Sequence, residues 1–329
     1  MKKLTFALFT ILASLLIISC GKAKTDANGC YYDIDDAAAV ANKKNQDIML
    51  IVSVDGDDED STDFMDKVVR DPAFKKEIAE NYAVVNMDFS QTAFEATTAD
   101  ENADAKTKKA ADEKAEIMKK HTRLVTMLEV QETPVVYILS KEQYLINGLF
   151  YDDENRTLEG FKNALAEKSA LIDDMHKMIY QTKIGTAEEK VTAIDKLFEA
   201  TSPNYRLFLY DLIDSVKKID PSNSSGLTGK YIFEAAAIKS DKAFIDGDVR
   251  GAVQAYIDVA DEELVPAEER QIGMYTAAYM ASKTELDPIP VVIGYLEKSI
   301  SLAPESEKVP AIRRVIAALE AQAEAEKAE

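Results

Sequence analysis

Tryptophan is absent from this chain of 329 residues, and histidine and cysteine occur only twice each. The histidines, His121 and His176, stand far apart, while Cys20 and Cys30 are confined to the first thirty residues. A structural zinc site or a Cys–His catalytic pair needs more ligands and closer spacing than this. No cofactor motif and no metal-ligand set is read from the chain. Basic charge is also in deficit: 39 Lys and Arg face 59 Asp and Glu, a net charge of −20. Such a chain has no electrostatic footprint for nucleic acid and is repelled by an anionic membrane surface. What remains is 47% apolar and 30% charged, a globular composition long enough for two domains with cores of their own.

The N-terminus departs from that composition. Lys2 and Lys3 precede an uncharged run of 15 residues, Leu4 to Ile18. At about 1.5 Å per residue this is short for a membrane span and suits a secretory signal peptide. It ends in Leu16-Ile17-Ile18-Ser19-Cys20-Gly21, which resembles the lipobox of bacterial lipoproteins. The match is relaxed, because Ile17 takes the usual leucine position and Ile18 replaces a small residue. The resemblance implies removal of residues 1–19, lipidation of Cys20, a tether over residues 20–30, and a lipid-anchored home in the bacterial cell envelope. An ordinary cleaved signal peptide and an uncleaved anchor are the alternatives. Several acyl chains at about 0.8 kcal/mol per methylene make such an anchor effectively permanent.

From Cys30 to Glu167 helix and strand patterns alternate. A helix is expected over Asp33–Gln46, with Ile34, Ala37, Ala38 and Ala41 on one face. Ile48–Val54 is apolar on both faces, as a central strand requires. Helices over Ser61–Val69 and Asp71–Asn81 follow, the second with Pro72 in its first turn. Ala83–Phe89, Pro134–Leu139 and Leu145–Phe150 read as strands, the last two as a hairpin, and Thr157–Ala170 as an amphipathic helix. Between them Gln91–Lys114 reads as a solvated insert passing into a helix over Ala105–Leu128, with His121 exposed on it.

This order, with NKKNQDIMLIVSV, FMDKVVRDPAFKKEIAENYAVVNMDFS and LEVQETPVVYILSKEQYLINGLFY as its segments, resembles the thioredoxin-like family over residues 31–167. The insert at about 91–114 is longer than the family's linker. The resemblance implies an α/β fold with a central mixed sheet flanked by helices. It also implies a cis bond at Thr133-Pro134, beside the helix start, where an extended polypeptide would pair by strand addition. The family's C-x-x-C dithiol falls on Asp58-Glu59-Asp60-Ser61, and no cysteine occurs after Cys30. A serine hydroxyl cannot replace a thiolate in disulfide exchange. Asp58 and Asp60 read more simply as helix caps. Eight acids lie between Asp55 and Asp71, but Gly56 is misplaced for an EF-hand. They form a solvated acidic rim or an irregular calcium site.

From residue 171 to 329 the pattern is helical, broken at Gly185-Thr186, Ser202-Pro203, Asp220-Pro221, Gly247-Asp248, Val265-Pro266, Asp287-Pro288 and Ala303-Pro304. The segments 243–261 and 289–306 resemble each other and tetratricopeptide (TPR) repeats, with Tyr256 and Tyr295 in equivalent places. Tyr205, Tyr210, Tyr231, Tyr256, Tyr275, Tyr279 and Tyr295 are expected in the core. The functional expectation is a redox-inactive binding or assembly module for other envelope proteins or polypeptide segments, with no nucleic-acid partner. The alternative is a thiol–disulfide oxidoreductase or relay partner using Cys30 as its single redox thiol.

Overall fold

A computed structural model describes residues 23–328; Cys20 and the signal-like run lie outside them. Strand formation follows the apolar runs. β1 (Asp47–Ser53) is buried along its length after Asp47, because it has a neighbour on each side. β2 (Tyr82–Asp88) pairs with it in parallel, so that Ile48 faces Ala83 and Ser53 faces Asp88. β3 (Val135–Leu139) lies antiparallel on its other side, and β4 (Leu145–Phe150) is antiparallel to β3. The order is β2-β1-β3-β4, a small mixed sheet. Beyond β2, the Tyr31 amide donates to the Val84 carbonyl at 2.7 Å and covers that edge.

Helix α1 (Ile34–Lys44) begins where Asp33 accepts the Asp35 amide and ends at Asn45, in the left-handed region with φ 56°. Its acidic first turn and basic last turn suit the helix dipole. Ala37, Ala38 and Ala41 are buried, small enough to bring the helix close to the sheet. After β1 come α2 (Glu59–Phe64) and a π-turn, Met65–Val69. The expected helix over Asp71–Asn81 shrinks to a π-turn, Lys75–Ala79, yet Phe74 and Ile78 point inward as the pattern requires. The insert forms α3 (Gln91–Glu95), capped by Ser90, and α4 (Ala105–Met127), capped by Asp104.

The amphipathic helix expected over Thr157–Ala170 ends at Glu167, and the next begins at Ser169. α5 (Leu158–Glu167) and α6 (Ser169–Gln181) meet at Lys168. Leu158, Phe161 and Leu165 of α5 and Ile172, Met175 and Ile179 of α6 all enter one core with Ile146 and Leu149. That core continues into α7 (Ala187–Ala200). A 3-10 turn, Pro203–Leu209, leads into α8 (Tyr210–Asp214) and α9 (Val216–Ile219). Two hairpins follow, α10 (Thr228–Ile245) with α11 (Val249–Val259) and α12 (Ala267–Lys283) with α13 (Ile289–Leu302), before α14 (Val309–Ala328).

The loop before α10 is built around Asp220, whose carboxylate is fully buried. It accepts the amides of Ser224 and Ser225 at 2.8 Å each. Burial alone would raise its pKa, but these donors hold it far below the usual carboxylate range. Tyr231 is fully buried and donates to Asp195 at 2.7 Å, tying α10 to α7. Tyr275 and Tyr279 depart from the core expectation: they are 37% and 55% exposed, on the outer face of α12. Among the described residues no helix is long and apolar enough to cross a membrane.

Candidate functional site

The candidate face lies beyond the C-terminal end of β1. Val52 pairs with Val135, so the loop leaving β1 and the Thr133-Pro134 bond entering β3 sit side by side. The chain turns at Gly56, with φ 88°, a conformation that disfavours any side chain. The Gly56 amide donates to Thr62 Oγ1 at 2.9 Å, and that hydroxyl donates to the Asp58 carbonyl at 2.7 Å. Asp58 caps α2 through the Ser61 amide at 2.8 Å, the capping role expected of it.

Ser61 itself is fully buried, and its hydroxyl has no hydrogen-bond partner. It therefore contributes nothing to the surface on which a polypeptide was expected to lie. Glu59 and Asp60 are exposed and Asp58 is half-buried, so the solvent side of the stretch Asp58–Ser61 is carboxylate. An open concavity of about 490 Å³ runs along it, lined by Asp57, Asp58, Asp60, Asp63, Asp66 and Arg156 among others. Among the described residues no group of three or more His, Cys, Asp or Glu is arranged to hold a metal ion.

Behind the carboxylates stands a fixed network. Asp63 accepts from Lys67 at 2.5 Å and from the Tyr151 hydroxyl at 2.7 Å. These two donors, Lys67 foremost, hold the Asp63 carboxyl below its usual range. Burial and the Asp63 charge push the Tyr151 phenol up. Arg156 lies over the Tyr151 ring at 5.4 Å. Arg70 pairs with Asp55 and with Asp66. Tyr151 and Arg156 had no signal in the sequence, because 88 residues separate Tyr151 from its partner Asp63.

Thr133-Pro134 is a cis peptide bond. Pro134 is buried beside Phe64, Phe150 and Tyr151, while Thr133 is half-buried. Phe150 is 55% exposed at the end of β4. The accessible part of this face is thus Thr133, Phe150 and the acidic rim.

Cys30 lies elsewhere, in the main core, 1% exposed. Burial, aided by the Asp26 charge, pushes its thiol far up, away from the reactive thiolate. The alternative reading, in which Cys30 is the redox thiol, meets a sulfur packed in the core cluster that includes Phe74, Ile78 and Val84, while the Asp26 amide donates to the Cys30 carbonyl at 2.9 Å. His121 corrects a second expectation, being 4% exposed with its Nε2 unpartnered.

Residues 227–325 match the family TP_0391_C, described as an uncharacterised protein C-terminal domain, which here spans α10 through most of α14. An uncharacterized protein of Treponema pallidum (strain Nichols) is 30% identical over 131 residues, 40% of this chain. The chain covers 43% of that relative's length. A solved structure, DsbH oxidoreductase, superposes with a TM-score of 0.31 at 13% identity, over 45% of this chain and 90% of the other.

Proposed function

We propose that this chain is a cell-envelope lipoprotein, anchored through Cys20, whose sheet unit is a thioredoxin-like fold used for binding rather than for redox chemistry. The observation that carries the reading is the substitution at the head of α2. Carboxylates and a buried serine stand where a dithiol would be, and the described cysteine is sealed in the core. The strand order β2-β1-β3-β4, with β3 antiparallel to its neighbours, supports the fold assignment. The hairpins α10–α11 and α12–α13 support a TPR-like reading of the helical region, since stacked hairpins leave a surface suited to polypeptide segments. In this reading envelope proteins are the partners, and Thr133 with Phe150 and the acidic rim forms the contact face of the sheet unit.

Insulin-disulfide reduction by the purified chain under excess dithiothreitol tests this directly. The expected rate equals that of dithiothreitol alone. A faster rate that disappears in Cys30→Ser would replace the binding module with an oxidoreductase.

A further inference from the structure

At the opposite end of the sheet from the candidate face, α6 crosses over a polar concavity of about 450 Å³. Its walls come from the start of β1 at Asp47, the start of β2 at Tyr82, and the β3–β4 turn at Lys141 and Glu142. His176 and Tyr180 of α6 close it. Two ties cross the seam. His176 Nε2 lies 2.9 Å from Asp47 Oδ2, and Lys183 pairs with Glu142. Lys141 is occupied by the Asn45 side-chain oxygen. Glu142 therefore has a permanent cation of its own, whereas the ion pair of Asp47 found among the described residues is with His176. The Asp47 side chain is only 13% exposed, so water compensates it poorly when the imidazole is neutral.

We propose that His176 and Asp47 form a proton-controlled latch that fastens α6 across the sheet when the imidazole is charged and releases it when the imidazole is neutral. The carboxylates facing His176 fit this role. Asp47 from β1 holds the imidazole above its usual range, against the opposing effect of burial. Glu142 from the β3–β4 turn and Asp173 of α6 act in the same direction. Lys141, Lys183, Tyr82 and Tyr180 line the same concavity. Because the folded pKa exceeds the unfolded one, the latch contributes fully below about pH 6.5 and is lost as pH rises through the folded value. Ile172, Met175 and Ile179 keep their places in the core, so release loosens α6 locally and leaves the fold standing. The helical region leaves the sheet unit along α6, which makes the seam a point where proton concentration sets how firmly the two are joined.

Hydrogen exchange on the full chain between pH 5.5 and 8.5, corrected for intrinsic exchange, tests the latch. Protection of the α6 amides is expected to fall severalfold across this range relative to that of α13, and His176→Gln to remove the dependence. Equal dependence in His176→Gln, or none in the unmodified chain, overturns the proposal. If the variant does not fold, an NMR titration of His176 in the unmodified chain decides: a midpoint above 6.5 supports the latch and one at or below 6.5 overturns it.

Discussion

His121 shows what a single buried side chain does to the acid limb of stability. It sits on α4 at 4% exposure, where burial lowers its pKa to about 4 against the opposing pull of Asp33. The folded pKa lies below the unfolded value near 6.5, the reverse of His176. Stability from the neutral imidazole is therefore complete above about pH 6.5 and drains away as pH falls toward 4. By linkage the loss attributable to this residue is about 3 kcal/mol. His121→Phe should flatten that part of the pH dependence, read as the difference in urea midpoint between pH 7 and pH 4.5. If the two chains lose the same stability, another group carries the acid sensitivity. The sequence could not reveal this burial. On a helix as polar as α4, a lone histidine carries no periodic signal, and its environment comes from Tyr32 and Asp33, nearly ninety residues earlier.

At the scale of elements, the sheet was legible almost to the residue. Strand ends differ from the reading of the sequence by one position or none, because each apolar run ends at a polar or turn residue. Less legible were the π-turns after α2 and before β2, where periodic apolar residues continue while the backbone leaves the α-helical hydrogen-bonding pattern. Also hidden was the way β4 protects its open edge. Tyr137 pairs with Gly148, and the Gly148 amide turns outward to its neighbour Asn147 Oδ1 at 2.9 Å. The Phe150 carbonyl is taken by Asn155 Nδ2 at 2.7 Å, and Asn155 Oδ1 accepts the Asp152 amide at 3.1 Å. Unpaired edge groups invite another chain, and these amides occupy them. Asn155 is 4% exposed, so Asn155→Ala should cost about 2 kcal/mol through two lost bonds. It should also raise self-association, measured by light scattering against chemical denaturation of the same preparation. A variant that stays monomeric while losing stability would mean that the edge is closed by other means.

Across the whole molecule, one buried cluster crosses the place where the sequence pattern changes. The sequence changes character near residue 170, from alternating strands and helices to helices alone, and a domain boundary is expected there. Yet the core does not break at that point: Met49, Ile51 and Ile146 of the sheet share one cluster with Ile172, Val191, Phe198 and Tyr231. Another cluster gathers Val253, Ala277, Val292 and Ile312 of α11 to α14. Helix α10 joins the large core through Tyr231, Ala235 and Ile238, while Ala236, with Ile232 and Phe233, forms a small cluster with Val259 and Val265. The insert adds a brace, Arg123 of α4 to Asp246 after α10 at 2.5 Å, though one exposed pair contributes at most about 1 kcal/mol. Cutting the chain at residue 170 therefore separates α6 and α7 from the sheet residues that share one core cluster with Ile172, Met175, Val191 and Leu197. The fragment 171–329 should bind a hydrophobic dye, aggregate on concentration and melt well below the full chain. Apolar burial at about 25 cal/mol per Å² is too large a share of a marginal stability to lose along two helices. A fragment that instead melts cooperatively at the temperature of the full chain would restore the boundary to residue 170 and make the shared core a contact between independent units.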